Sequence, residues 1–389
     1  MKRRFFLAAA TAASATRVIG ANDRIRGGII GSGGRGRYLT GQYKEIGVDM
    51  AAVCDVYEPN LQAGLKKASS SATPYHNYNR LLDDKSLDVV VIATPDHWHS
   101  RMAVDAVKAG KDVYLEKPMA HTIEQGFDII NATRQTRRIV QIGTQRRSSA
   151  FFIEATSHMN ELGPVHLITS QWLNYWDKLR DRKLEGKLDW KQWIGSAPMR
   201  PEDPVRFFNW YFFWDYSGGM LIGQAAHIVD AFNMFMKSNY PTAVTCTGEN
   251  NVKGAQVPET ASISIEYSAY LGIFTVGYKA MHYRWYNDQI KQFHGTQARF
   301  DVAREWYKLW PQSDEVIMKP SREVSKPGSF EPSTRSHIRN FLDCVRSRED
   351  PNATVEMGQW TNVVLCMAME SLKTGRRITY DPRKRQMEA

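Results

Sequence analysis

Three groups of residues in this chain have types and spacings that could do chemistry. The first is Gly31-Ser32-Gly33-Gly34-Arg35-Gly36, a G-x-G-x-x-G run, with Asp55 following downstream. Gly31 suits a tight turn, Gly33 lets backbone approach a pyrophosphate, and Gly36 lets a helix sit close on a strand. Asp55 is placed to accept hydrogen bonds from ribose hydroxyls. Val56-Tyr57-Glu58 offers no arginine for a 2′-phosphate, which favours NAD over NADP. The second group is Glu116-Lys117-Pro118. Oxidising an alcohol sends hydride from carbon to an acceptor and the hydroxyl proton to a base. A lysine whose pKa is lowered by burial and neighbouring cations suits the second task. Its structural alternative is an ion pair with Glu116, and Pro118 admits a cis bond that would aim the lysine.

The third group is built on histidines: Thr94-Pro95-Asp96-His97-Trp98-His99 and Ala225-Ala226-His227-Ile228-Val229-Asp230. His97 and His99 have an H-x-H spacing that metals use, yet no matching carboxylate or third histidine stands out. No metal is therefore expected, and Thr94, Pro95, His97, Trp98 and His99 read as contacts to cofactor or substrate. His227 lies in an apolar helical stretch, which by itself describes a satisfied core histidine. Asp230, one turn on, is placed to orient the imidazole, to cap, or to lie at the surface.

The elements that must position these groups follow from the hydrophobic pattern. An apolar run ending at Ile30 feeds the glycine turn, 38–46 is helix-compatible, and 48–53 is a second apolar run ending in Asp55. Strand, glycine turn, helix, strand and acid in this order form the dinucleotide-binding unit. Its helix N-terminus offers free N–H groups and the positive dipole end to phosphates. The alternation continues with helices at 60–69, 102–109 and 123–137 and strands at 88–94, 112–115 and 139–143. Ligands of open α/β sheets bind beyond the C-terminal ends of the strands. Gly31, Gly33, Gly34, Arg35, Gly36, Asp55, Thr94 to His99, Glu116, Lys117 and Gln145 all fall at that edge.

From about Pro164 the texture changes. Spans 165–172, 243–246, 261–267, 272–278 and 289–293 have β character, with helices predicted at 223–236, 334–346 and 357–373. The fold class is α/β: a doubly wound parallel Rossmann sheet over 22–147, then an α/β domain with a large, mostly antiparallel sheet over 148–389. The charged, Trp-rich stretch 175–204 reads as an excursion over the surface or the site.

The chain has 389 residues and a net charge of +10, but four of the positive charges (Lys2, Arg3, Arg4, Arg17) lie in the first 21 residues. The rest are scattered or in the Arg383-Lys384-Arg385 tail, without the aromatic interleaving of a nucleic-acid site. Eleven Trp and 17 Tyr suit core packing for the most part, and sugar faces at a site. The four cysteines fit neither redox nor zinc spacing and read as buried free thiols. Residues 1–21 read as a targeting leader: Arg3-Arg4-Phe5-Phe6-Leu7 is similar to a twin-arginine signal, followed by an alanine-rich stretch too short to span a membrane. That route exports folded proteins and agrees with a cofactor loaded before export to the periplasm.

Taken together, Ile30 to Gly36, Thr94 to His99, Glu-Lys-Pro and Ser217-Gly-Gly-Met-Leu…His227-Ile-Val-Asp230 resemble the Gfo/Idh/MocA oxidoreductases. The resemblance implies a Rossmann domain followed by an open-sheet α/β domain, a homodimer or homotetramer, NAD as cofactor and a sugar or cyclitol as substrate. It matches Lys117 to the lysine that touches the reacting hydroxyl and His227 to a catalytic histidine. Many family dehydrogenases carry an aspartate at position 223, four residues before the histidine; here it is Gly223, followed by Gln224. His121, Arg146, Arg147, Lys279, His282 and Tyr283 are further candidates for binding sugar hydroxyls or a carboxylate. Two enzyme readings follow: net oxidation of a sugar hydroxyl by tightly bound NAD, or transient oxidation, elimination of a glycosidic group and return of the hydride. A non-catalytic sugar or nucleotide sensor is the reading from another class.

Overall fold

A computed structural model describes residues 24–175, 178–250, 252–278, 289–315 and 318–388. The first sheet follows from short apolar runs that alternate with helices. Its strands are β1 (Arg26–Ile30), β2 (Asp49–Cys54), β3 (Thr73–Tyr75), β4 (Val89–Ile92), β5 (Asp112–Leu115) and β6 (Val140–Ile142), in the order β3-β2-β1-β4-β5-β6. Every pair is parallel. All four residues of β4 are fully buried, as expected for a strand covered on both faces. The helices are α1 (Gly34–Glu45), α2 (Glu58–Leu65), α3 (Tyr78–Asp83), α4 (His99–Lys108) and α5 (Ile123–Thr136). The Thr122 hydroxyl starts α5 by accepting from the Gln125 N–H at 3.2 Å. The pair β3–α3 escapes pattern reading because a three-residue strand is too short to show a period.

The strand order reverses between β1 and β4, and that crevice is where an open sheet receives a ligand. Gly31 turns the chain there with φ +85°, and a Cβ on it would lie 2.8 Å from the Ala93 carbonyl oxygen. A Cβ on Gly36 would run into the Gly31 carbonyl. Both glycines are therefore demanded by geometry.

The second sheet has ten described strands: β7 (Val165–Leu173), β8 (Ala243–Glu249), β9 (Thr260–Glu266), β10 (Leu271–Gly277), β11 (Lys291–Gly295), β12 (Ala298–Val302), β13 (Trp306–Pro311), β14 (Arg322–Ser325), β15 (Ile378–Asp381) and β16 (Gln386–Glu388). Their order is β14-β13-β12-β11-β7-β10-β9-β8-β15-β16. It is mixed and mostly antiparallel, with β7 and β10 paired in parallel. The five strands from β12 to β16 are in excess of the expected set, since charge and tryptophan interrupt their apolar runs.

The helix Gly219–Met236 packs on this sheet and against the helix Val355–Thr374. It begins four residues before the expected start because Gly218-Gly219 forms its entry: a Cβ on Gly219 would lie 2.5 Å from Val257. Leu221, Ile222, Ala225, Ile228, Val229 and Phe232 are all at most 2% exposed, so most of its circumference faces core. The remainder, Gly223, Gln224 and His227, faces the strand ends of the first sheet. All four cysteines are buried and free. Among the described residues no helix is long and apolar enough to cross a membrane.

Candidate active site

Two adjoining cavities lie at the C-terminal edge of the parallel sheet. The larger, about 430 Å³, is floored by the glycine turn, Asp55, Asn60 and the segment Ala93 to Pro95. Helix α1 has Gly33 at its N-cap and no side-chain cap, so its first N–H groups are left for a ligand. A Cβ on Gly33 or Gly34 would meet no atom within 4 Å, which leaves the turn open to a pyrophosphate. Asp55 lies at the end of β2. Its Oδ2 accepts from the Ser32 N–H at 2.8 Å and the Ser32 hydroxyl at 3.3 Å, and its Oδ1 accepts from the Tyr57 N–H at 2.9 Å. Burial pushes its pKa up to about 6, against those N–H groups, which pull it down. Oδ1 keeps capacity for a ribose hydroxyl.

The roof of this cleft comes from the second half of the chain. Arg180, Arg182, Gln192, Trp193, Phe207 and Phe208 line the same cavity. Their segment is tied to the first domain at two places. Near β2, Tyr57 and Leu188 form a β-bridge, Glu58 N–H donates to Lys187 O and Asp189 N–H to Val56 O, each at 2.9 Å. Near β4, the Trp98 indole N–H donates to Trp193 O at 2.8 Å. The excursion expected from composition is thus an aromatic strap across the cleft, and Trp193, Phe207, Phe212 and Tyr216 form its own small core.

The second cavity, about 370 Å³, shares Arg35, Thr94, Trp210 and Tyr211 with the first. Lys117 enters it from the end of β5, at a cis Lys117–Pro118 bond. Its Nζ donates to the Gly223 carbonyl at 2.8 Å. The alternative ion pair with Glu116 is not made, because Glu116 Oε1 accepts from Arg35 Nε at 2.6 Å. Burial lowers the Lys117 pKa; Glu116 and Asp96 pull it up, and Arg35 and Arg146 push it further down. His227 stacks on Trp172, with ring centroids 6.4 Å apart. Its Nδ1 is buried without a protein partner. Burial, then Lys117, Arg146, Arg35 and Arg304, hold its pKa well below the ordinary histidine value, so the ring is neutral. Thr94 Oγ1 and Gln145 Oε1, of two residues that line this cavity, are likewise buried without a protein partner.

Two family models match this chain: an oxidoreductase family with an NAD-binding Rossmann fold over 25–144, and its C-terminal alpha/beta domain over 194–380. The chain belongs to the Gfo/Idh/MocA family. Among curated members it is 37% identical over 128 residues to a glycosyl hydrolase family 109 protein of Solibacter usitatus, covering 30% of this chain and 29% of that one. It is 37% identical over 109 residues to inositol 2-dehydrogenase of Salmonella paratyphi B, covering 28% and 32%. These alignments thus span about three tenths of each relative. Among solved structures, levoglucosan dehydrogenase in complex with NADH and levoglucosan superposes with a TM-score of 0.74 at 17% identity, over 92% of this chain and 99% of that one.

Within this Gfo/Idh/MocA site the candidates from sequence divide into two sets. Gly31, Gly33, Gly34, Arg35, Asp55, Thr94, Pro95 and Trp98 line the first cavity; Glu116, Lys117, Gln145 and His227 line the second. Others are corrected. His97 lines neither cavity, because its Nε2 contacts Trp193 O at 3.2 Å beneath the strap. His99 reaches the second cavity, but its two ring nitrogens sit on Pro118 O at 2.7 Å and Thr94 O at 3.0 Å, so it braces the turns rather than a ligand. Asp230 does not orient His227: it is 1% exposed and pairs with Arg147 Nε at 2.7 Å. Arg146 lines neither cavity and bonds the Gln289 side chain. His121 lines neither cavity: it is half-buried, and its main-chain N–H donates to Gln125 Oε1 at 3.0 Å. Lys279, His282 and Tyr283 lie outside the described residues. Sequence reading missed Tyr211 and the Asp96–Ser217 bond, 2.5 Å, that ties the two halves beside the lysine, and gave Met220 of the Ser217-Gly-Gly-Met-Leu run no role of its own. Only the Trp-rich stretch 175–204 hinted at walls there. Among the described residues no three His, Cys, Asp or Glu are placed to hold a metal ion.

Proposed function

We propose that this protein is an NAD-dependent oxidoreductase acting on a hydroxyl of a sugar, glycoside or cyclitol. One observation carries the reading: Lys117 and His227 line one cavity that adjoins the uncapped glycine cradle. The relatives that act on inositol and levoglucosan support the substrate class. NAD, when bound, supplies the hydride acceptor at its nicotinamide ring, since no side chain can take a hydride. Gly31, Gly33, Gly34 and Arg35 would hold its pyrophosphate and Asp55 its ribose. Lys117, as the free amine, keeps one N–H on Gly223 O and turns its lone pair to the substrate hydroxyl, whose proton it accepts. Neutral His227 accepts a hydrogen bond from the substrate and fixes its orientation.

The strap supports a second reading. A cofactor roofed by a strap tied at two places leaves slowly, which suits a cycle that oxidises, eliminates and re-reduces without exchanging NAD. The glycosyl hydrolase family 109 relative is similar over 30% of this chain. Export by the leader at 1–21, with the cofactor already enclosed, and assembly as a homodimer or homotetramer belong to the same proposal. The test begins with purified protein and no added cofactor. Denaturation should release NAD, and the intact protein should reduce it when offered a panel of free sugars, cyclitols and glycosides. Lasting NADH formation supports net oxidation; glycoside cleavage without NADH supports the recycling cycle. Failure to bind NAD at all would sink both.

A further inference from the structure

Glycine inside a helix costs about 1 kcal/mol relative to alanine and is kept where space or backbone demands it. In most helix interiors here the demand is plain. A Cβ on Gly126 would run into the Gln359 side chain, on Gly358 it would lie 2.8 Å from Ile142, and on Gly64 2.7 Å from Ser32. Gly223 is different. It lies in the helix Gly219–Met236 with no positive φ, and a Cβ there would meet nothing within 4 Å. Gly34 and Gly41 in α1 are also open; Gly34 lines the dinucleotide cradle and Gly41 lines neither cavity. Neither backbone nor packing asks for glycine at 223, yet it lines the second cavity and its carbonyl holds Lys117 Nζ.

The gap has a definite address. Helical side chains lean towards the N-terminus, so His227 leans over the turn that contains Gly223. The space above Gly223 is therefore bounded by Lys117 Nζ and by the ring whose Nδ1 has no partner. A hydroxyl at the reacting carbon satisfies the lysine but leaves a methyl-sized or larger space over the helix. Resting on the oxidoreductase reading above, we infer that Gly223 is a specificity-determining position. The substrate class is a sugar or cyclitol whose carbon next to the oxidised one bears a substituent larger than hydroxyl, seated over Gly223.

The test compares wild type with Gly223→Ala and Gly223→Leu. The probes are D-glucose, its 2-, 3-, 4- and 6-O-methyl ethers and N-acetylglucosamine, read by reduction of bound NAD and by thermal melting. Wild type should prefer at least one substituted sugar over D-glucose by about tenfold or more in kcat/KM. Gly223→Ala should lower that preference at least tenfold and Gly223→Leu should abolish it, with the Tm of Gly223→Ala equal to or above wild type. A lower Tm for Gly223→Ala would overturn the inference, because the glycine would then serve the fold. So would an alanine variant that scales all sugars equally, or a wild type that prefers none of the substituted sugars. Should NAD bind while neither these probes nor the wider panel of free sugars, cyclitols and glycosides reduces it, the oxidoreductase reading itself fails and takes this inference with it.

Discussion

The dinucleotide cleft and the substrate cavity adjoin, but they are made in different ways. The floor of the cleft comes from turns close in sequence, and much of its polar surface is main chain: the uncapped start of α1, the Ser32 and Tyr57 N–H groups on Asp55. The cavity is made by bringing together residues far apart. Lys117 reaches Gly223 across 106 positions, and Ser217 reaches Asp96 across 121. A cleft built from local turns keeps its ligand through much divergence elsewhere. A cavity built across two sheets changes its chemistry with one side chain. Changes in the cavity should therefore alter turnover and leave cofactor content intact, and changes in the cleft should do the reverse.

The sharpest break of that contrast is Lys117→Ala. Removing a positioned acid–base group costs about 10²–10⁴-fold in turnover. We expect that loss in kcat, with the NAD released on denaturation equal to wild type. Cofactor lost together with activity would show that the lysine holds the cleft, and the contrast would fail. Because burial lowers the Lys117 pKa, activity should rise with pH from the acid side earlier than an ordinary lysine would allow.

Next in size is Asp230→Ala, which leaves Arg147 buried without its carboxylate. Breaking a buried pair from one side costs about 3–5 kcal/mol, here with side chains 8% and 1% exposed. Urea denaturation should show this loss, while the folded fraction keeps its NAD. A variant of normal stability and poor turnover would instead return Asp230 to the substrate side.

How much of this could be read in the sequence follows the same divide. The glycine turn, Asp55 and the end of β5 at Lys117 were legible because each is fixed by spacing within one crossover. His97 was misread for an instructive reason. Its position at a strand end is right, but its ring direction is decided by Trp193, 96 residues away. Asp230 sits one helical turn from His227, and spacing alone cannot tell that Arg147 lies closer. The wall at Tyr211 had no pattern of its own; it is placed by the strap, whose aromatic core forms only once it lies on Tyr57 and Trp98.

On the cleft side, the pH dependence of NAD binding sharpens the contrast. Asp55 has its pKa raised to about 6 by burial. Its ionised form is thus the unfavoured one in the free protein, so its contribution to stability falls as pH rises from the ordinary carboxylate range through about 6. NAD affinity should move the opposite way, since ribose hydroxyls donate to the carboxylate. Hydrogen bonds to a charged group are worth about 1.5–3 kcal/mol, roughly a 10- to 150-fold change in Kd between the two forms. Titration with NAD at pH 5 and pH 7 should show it, and Asp55→Asn should flatten the dependence. An unchanged slope in that variant would place the ribose elsewhere.

The smallest expected effect lies where the two regions meet. Trp98→Phe keeps the ring that packs on Tyr78, 5.8 Å between centroids, but removes the indole N–H from Trp193 O. His97 Nε2 still reaches that carbonyl at 3.2 Å, so it does not become an orphan. One neutral hydrogen bond is worth about 0.5–1.5 kcal/mol net. If the strap must lift for the cofactor to leave, NADH release should quicken about two- to tenfold, read by stopped-flow loss of NADH fluorescence on dilution into excess NAD. Turnover under a recycling cycle would not change, because that cycle never needs the strap to open. Turnover under net oxidation would rise with the release rate wherever release limits it. The same conservative variant therefore reports whether the roof is a wall or a door.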